Sequence, residues 1–268
     1  MSITVREILA KSALTPSRIE GIDFALNPYR GCAHGCRYCY ADFMRRFSGH
    51  HEPWGSFVDV KINIAKMLAI ELHRASQKKI CIPSLFALKN DKGIDLEHKK
   101  LVSLSTVTDP YQPVEQKYQL TRRCLEILLR HEIPVTILTK SPLICRDIDL
   151  IKQFQQIEVG VTITTDREDI RRIFEPNAPS IAVRMETLKK LHNGGIKTYV
   201  FIGPILPMDP YRLAGQVKDF IDFYFIDPMN YVAKSRNIYY QHHLEYALQP
   251  DYVAECQSAL KQVFTADC

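Results

Sequence analysis

The sequence predicts an α/β fold, a partial (β/α)6 barrel of the TIM type with short extensions at both ends. Two observations predict it. Short β-branched runs alternate with helical stripes at the spacing of parallel strands joined by right-handed crossovers. About six such units can be counted along the 268 residues, fewer than the eight that close a full barrel. A third observation says what the barrel is for: Cys32, Cys36 and Cys39 stand at C-x3-C-x2-C spacing just after the first predicted strand.

The elements follow in order. Residues 1–26 read as a short helix or strand lead-in ending in the strand Ile22-Asp23-Phe24-Ala25-Leu26, which delivers the cysteine loop. Between Phe43 and Lys61, the rings of Phe43, Phe47, Trp54 and Phe57 alternate with Arg45, Arg46, His50 and His51. Arginines among aromatics can clamp nucleic acid, but the plainer expectation is rings packed inward and charges solvated. Ile64, Met67, Leu68 and Leu72 form one helical stripe, and Val102–Val107 a strand. A helix after Pro113 buries Leu120, Cys124, Ile127 and Leu128, then come a strand at Val135–Thr139 and a shorter helix at Asp147–Gln155. Val159–Thr164 is a strand, and Ile181, Met185 and Leu188 stripe a helix closed by Gly194-Gly195. Thr198–Ile202 and Phe223–Ile226 are the last strands, and a helical run near Tyr252–Val263 packs beside the open edge or bottom. The expected organisation is an N-terminal extension (1–20), a barrel core (21–227) and a helical C-terminal extension (228–268).

Composition bounds the rest. Hydrophobic residues at 46% and charged residues at 24% give an ordinary globular balance, and 35 Lys and Arg against 30 Asp and Glu leave a mild basic excess. That excess suits an anionic substrate and is too small to argue nucleic-acid binding alone. With no secretory signal or membrane span in view, the expected location is the cytoplasm, where eight cysteines stay reduced.

Three thiolates so close together can converge on one inorganic centre. A four-iron cluster normally takes four cysteines, so three protein ligands leave one iron able to bind something else. Zinc is an alternative if His34, His50 or His51 supplies a fourth ligand. A disulfide leaves one of the three thiols over. The other cysteines, Cys81, Cys124, Cys145, Cys256 and Cys268, stand singly; Cys124 reads as core, while Cys256 and Cys268 could approach the site from the tail.

Active sites of parallel barrels form at the C-terminal ends of their strands. Those positions hold Thr106, Thr108 and Asp109 with the turn Pro110-Tyr111-Gln112-Pro113, then Thr139-Lys140-Ser141, Thr164-Thr165-Asp166, Gly203-Pro204 and Asp227. For Asp109, Ser141 and Asp166 a capping role is an equal expectation.

The cysteine spacing followed by a partial barrel resembles the radical S-adenosylmethionine superfamily. Longer runs resemble its spore-photoproduct-lyase-like branch, often labelled DNA repair photolyases: Asn27–Tyr40, Thr108–Pro113, Leu138–Ser141 and Phe174–Pro179, within residues 21–207. The resemblance implies that Cys32, Cys36 and Cys39 ligate three irons of a 4Fe–4S cluster and that S-adenosylmethionine chelates the fourth. It implies that Tyr38 lies against the adenine, and that Lys140 and Arg184 face the methionyl carboxylate. Thr108 and Thr164 would bond the amino group or ribose, and Gly203-Pro204 would wall the adenine where a small residue permits close approach. Reductive cleavage to a 5′-deoxyadenosyl radical would then remove hydrogen from a substrate, with electrons from a reductant such as ferredoxin or flavodoxin. Tyr40 matches a residue able to join a hydrogen relay. Spore photoproduct lyases carry a hydrogen-returning cysteine near the end of the second strand; Ser105 or Thr106 stands there instead, which implies another substrate. The competing readings are a lyase or a repair or modification enzyme acting on nucleic acid, and a non-catalytic zinc or iron–sulfur binding module.

Overall fold

A computed structural model describes residues 3–77 and 100–265 of the chain. The chain begins with strands Thr4–Ile8 (β1) and Leu14–Pro16 (β2), followed by Phe24–Leu26 (β3), Tyr29–Arg30 (β4) and Phe57–Lys61 (β5). The remaining strands are Val102–Leu104 (β6), Val135–Thr139 (β7), Ile157–Thr162 (β8), Thr198–Ile202 (β9) and Phe223–Ile226 (β10). The main sheet has the order β10-β9-β8-β7-β6-β3-β2. Its six strands from β3 to β10 run parallel, and β2 pairs antiparallel with β3 at one edge. The two edges do not meet, so the barrel is incompletely closed, as the six predicted units require.

Nine helices flank the strands among the described residues: Ile64–Gln77 (α1), Glu115–Tyr118 (α2), Leu120–Arg130 (α3), Ile148–Ile151 (α4), Glu168–Phe174 (α5), Ile181–Asn193 (α6), Pro210–Val217 (α7), Val232–Gln241 (α8) and Pro250–Thr265 (α9). The core lies between strands and helices: Leu26, Leu104, Ile137, Val161 and Val200 meet Leu68, Leu125, Leu188 and Leu213. Each such side chain contributes about 1.5–3 kcal/mol by leaving water. Among the described residues no helix is long and apolar enough to cross a membrane.

Several predicted elements are reshaped, each for a physical reason. The strand expected at 102–107 ends at Leu104 because Ser105 takes a left-handed backbone (φ 68°), its N–H donating to the Leu26 carbonyl. The helix expected after Pro113 is two helices, broken at Gln119 (φ 51°). The buried Glu115 carboxylate fills the break, accepting from Thr121 N at 3.0 Å and Arg122 N at 3.3 Å, which caps α3. The helix expected at 147–155 starts earlier as a 3-10 turn, Pro142–Asp147, opened by Pro142 and capped by Ser141 Oγ, and runs through α4 to Ile151.

A second sheet was not foreseen. Strand β5 lies between β1 (parallel) and β4 (antiparallel). Its sequence, Phe-Val-Asp-Val-Lys, conceals the strand because Asp59 is buried amid its apolar neighbours. The tail is also only partly where it was expected. Helix α9 packs on α7 and stacks Phe264 against Tyr224 of the edge strand β10 at 4.6 Å. Helix α8 and Glu245–Leu248 instead reach the cysteine loop: Tyr239, Leu244 and Ala247 share a buried cluster with Cys36, Tyr38 and Phe174.

Candidate functional site

The cysteine loop leaves the C-terminal end of β3 and passes through β4, and the loop after β6 pins it down. Thr108 Oγ1 donates to the Gly31 carbonyl at 2.5 Å and accepts from Gln112 Nε2 at 2.8 Å. Gln112 Oε1 accepts from Ala33 N at 2.9 Å, and Arg37 N donates to the Phe174 carbonyl at 2.8 Å. Gly31 is obligatory on two counts. Its φ is +88°, and a Cβ there would stand 2.4 Å from the Phe57 carbonyl oxygen. The bonds to Gly31 and Gln112 tie Thr108 to the cysteine loop; the resemblance implies a contact to the amino group or ribose.

Cys32 and Cys36 are buried and Cys39 is half-buried. Burial pushes all three thiols up; the Cys36 thiol reaches about 12 even though the charges of Lys140 and Arg184 pull the other way. The charges of Asp109, Cys36 and Cys39 add to the effect on Cys32. Among the described residues no three His, Cys, Asp or Glu side chains are gathered as a single-ion site. Of the histidines proposed as a fourth zinc ligand, His34 and His50 lie beside carboxylates, while His34 Nδ1 is buried with no hydrogen-bond partner among the described residues. His34 Nε2 lies 3.2 Å from Asp109 Oδ2, and the His50 ring sits between Asp59 (2.9 Å) and Glu52 (3.2 Å). His51 is exposed. A cluster held by three thiolates would leave one iron open, whereas a closed zinc site would need a fourth ligand.

Beside the loop lies a buried carboxylate that gathers four of the predicted residues. Glu175 follows α5 and is fully buried. It accepts from the Tyr38 hydroxyl, from Thr164 Oγ1 at 3.1 Å and from Arg184, and Lys140 Nζ stands 3.9 Å away. Burial alone would raise its carboxyl, but the charges of Arg184 and Lys140 and the bonds from Arg184 and Tyr38 hold it at about 2. Lys140 Nζ also lies 5.9 Å from the Tyr38 ring centre. Arg184, expected to meet a ligand carboxylate, is fully enclosed. Its guanidinium donates to the Pro179 carbonyl (2.9 Å), to the Thr162 carbonyl (3.2 Å) and to Glu175, so it serves the protein's own backbone and carboxylate.

Other predicted residues divide similarly. Asp109 is more than a cap: Oδ1 accepts from Tyr111 N at 2.9 Å and Thr139 Oγ1 at 2.7 Å, and Oδ2 from Lys140 N at 2.8 Å, which fixes the Lys140 backbone. Asp166 caps no helix of its own; it accepts from Asp209 N and Arg212. Tyr40 gives its hydroxyl to the Thr106 carbonyl and stacks on Tyr231 at 6.3 Å. Ser105 is buried with its hydroxyl unpaired. At Gly203 an added Cβ would meet the Phe201 ring (2.4 Å) and Asp227 Cβ (3.0 Å). Cys124 and Cys256 are core, Cys145 is half-buried, and Cys81 and Cys268 lie outside the described residues.

The 3-10 turn Tyr40–Phe47 after the last cysteine differs from expectation. Phe57 is buried, but Phe43 and Phe47 are 40% and 69% exposed, with Arg45 and Arg46 exposed between them.

Sequence reasoning missed Glu175 and Gln112, the residues that join the elements together. Both lie inside segments quoted for the resemblance, Phe174–Pro179 and Thr108–Pro113. The available signal was a glutamate wedged between Phe174 and Pro176, a poor setting for a solvated charge.

No family model matches the chain. An uncharacterized protein of Methanocaldococcus jannaschii, MJ0683, is 35% identical over 245 residues, covering 91% of this chain and 83% of that protein. The chain belongs to the MJ0683 family. Another relative is longer: the chain spans 57% of an uncharacterized Mycobacterium tuberculosis protein, Rv2578c, at 30% identity. Among solved structures, spore photoproduct lyase complexed with dinucleoside spore photoproduct superimposes with a TM-score of 0.68 at 13% identity, covering 98% of this chain and 79% of that one. A variant of that lyase with bound AdoMet and the dinucleoside gives 0.65 at 13% identity, over 90% and 66% of the two chains. The likeness shows that the MJ0683-family chain has the incompletely closed α/β barrel of the radical S-adenosylmethionine type.

Proposed function

We propose that the chain is a radical S-adenosylmethionine enzyme whose substrate is a nucleic acid or a part of one. The observation that carries the first half is the loop of three cysteines, two buried and one half-buried, held at the strand ends beside the side chains gathered by Glu175. Cys32, Cys36 and Cys39 would hold a 4Fe–4S cluster, and Lys140 and Tyr38 would receive S-adenosylmethionine. When bound, these cofactors supply one-electron cleavage of the sulfonium and hence a 5′-deoxyadenosyl radical able to take a hydrogen atom. The protein's own residues do the rest. Lys140 offers a positive charge to a carboxylate, Tyr38 presents an aromatic ring, and Phe174, Tyr239 and Leu244 keep water from the thiols. A reductant such as ferredoxin or flavodoxin would supply the electron.

The second half is supported by the outward rings of Phe43 and Phe47 beside Arg45 and Arg46, a stacking and phosphate-contact surface next to the last cysteine. The lyase whose fold this chain shares is complexed with a dinucleoside, which favours the same substrate class. With Ser105 and Thr106 at the strand end, the hydrogen-returning step of that lyase is not carried over.

Anaerobic reconstitution with iron and sulfide, followed by dithionite and S-adenosylmethionine, tests the reading. About four irons per chain and formation of 5′-deoxyadenosine are expected. Stoichiometric zinc without sulfide would instead identify a binding module. Binding of single-stranded DNA or RNA should weaken as salt rises; salt-independent binding would remove the phosphate-contact part.

A further inference from the structure

We infer that Glu175 is the positioning residue of the cofactor pocket: locked by Arg184, it sets the Tyr38 ring and the Lys140 ammonium where S-adenosylmethionine's amino-acid end is received. The inference rests on the radical S-adenosylmethionine reading and assigns roles that this reading leaves open.

Three features carry it. First, Glu175 joins elements far apart in sequence: Tyr38 from the cysteine loop, Lys140 from the end of β7, Thr164 from beyond β8, and Arg184 from α6. No other described carboxylate touches both the loop and two strand ends through side chains. Second, its two cations are unequal. Arg184 is fully buried and spends its donors on Glu175 and on the Pro179 and Thr162 carbonyls. Lys140 donates no hydrogen bond from Nζ among the described residues, and its one ion pair there is the 3.9 Å approach to Glu175. Third, the pairing leaves donors over. Arg184 neutralises Glu175, and Lys140, which has Asp109 as a further carboxylate in its surroundings, brings a second cation beside the thiol loop. An ammonium held this way, with free donors, suits a carboxylate arriving from outside. Were Glu175 only a prop for the fold, Arg184 alone would satisfy it, and Tyr38 and Lys140 would not need to converge there.

The test uses cluster-loaded protein and S-adenosylmethionine binding, measured without turnover. Glu175→Asp keeps the charge for Arg184 and shortens the reach to Tyr38 and Lys140. Glu175→Gln with Arg184→Met removes the buried pair together, which avoids leaving a lone buried charge. We expect both variants to load iron and sulfide like the wild type and to show the same EPR spectrum of the reduced cluster without S-adenosylmethionine. Equilibrium dialysis against S-adenosylmethionine should show affinity weaker by about tenfold or more, a change of about 1.4 kcal/mol. Variants that load the cluster and bind as the wild type does overturn the inference alone. Variants that lose the cluster make Glu175 a prop of the cysteine loop and also overturn it. Cluster-loaded wild type that fails to bind S-adenosylmethionine overturns the radical S-adenosylmethionine reading and the inference with it.

Discussion

Asp59 and Glu175 are two fully buried carboxylates, each beside two cationic side chains, and they serve opposite ends. Asp59 lies in the small sheet. Arg6 Nε meets it at 2.9 Å, Arg30 Nε at 2.8 Å and His50 Nε2 at 2.9 Å. The same arginines reach on to the Ser48 and Phe47 carbonyls, so Asp59 ties β1 and β4 to the end of the turn that follows the cysteines. Every cation there already has several partners. At Glu175 one cation is saturated and the other is held loosely. The contrast teaches that a buried carboxylate is marked as part of a site by an under-used partner, not by its own burial.

The largest expected effect lies on the Asp59 side. Asp59→Ala should lower unfolding stability by about 2–3 kcal/mol in urea titration. That is below the loss for a wholly enclosed pair, because Arg6 is 43% exposed and can turn to solvent. Protein that reaches the native state should still load iron. The acid side of the stability curve gives the same point a sign. Burial would raise the Asp59 carboxyl, but hydrogen bonds from Arg6, His50 and Arg30 hold it below its ordinary value. Its contribution is therefore present above the unfolded value of about 3.9 and lost as pH falls through the folded value. Asp59→Asn should flatten stability against pH in that window. An unchanged acid limb would mean that the cluster does not stabilise the fold.

Next in size is Lys140→Met. If Lys140 is held ready for a ligand, the substitution should leave the thermal midpoint within a few degrees of wild type, since the only ion pair lost among the described residues is the 3.9 Å approach to Glu175. S-adenosylmethionine affinity should fall by about ten- to a hundredfold, the range for losing hydrogen bonds to a charged group. A large stability loss with intact binding would make Glu175 resemble Asp59 and erase the comparison.

The two carboxylates also measure how far the sequence could be read. The six parallel strands followed from alternation with helices, and β7, β9 and β10 have the bounds that their β-branched and aromatic runs imply. Lys140 and Thr164 were found because they stand at strand ends, and Tyr38 because it sits between two cysteines. What stayed hidden was whatever depends on a partner distant in the chain. The Glu175–Arg184 pair spans nine residues, but Tyr38 lies 137 residues from Glu175. Asp59 and Arg6 are 53 apart, so nothing near β5 in the chain marks its buried aspartate. At Gly203, just past the end of β9, the ring that an added Cβ would meet is Phe201, two positions back in the chain.

The smallest effect is expected at the exposed turn, and it separates binding from folding most cleanly. Phe47 is 69% exposed; its carbonyl accepts from Arg30 at 2.8 Å, a bond that survives side-chain truncation. Its ring meets Phe43 edge-on at 6.3 Å. Removing so exposed a ring should change stability by less than about 0.5 kcal/mol. A ring that stacks on a base contributes about 1–3 kcal/mol to binding, and partial stacking at an exposed edge belongs at the low end. Phe47→Ala should therefore weaken single-stranded nucleic-acid binding by about fivefold at constant salt, leaving the thermal midpoint and iron content at wild-type values. Arg45→Gln should reduce the salt dependence of the same binding, because it removes a phosphate contact and leaves the stacking ring in place. If neither variant shifts the binding curve, the turn is not the substrate surface, and the Asp59 cluster that anchors it supports the fold alone.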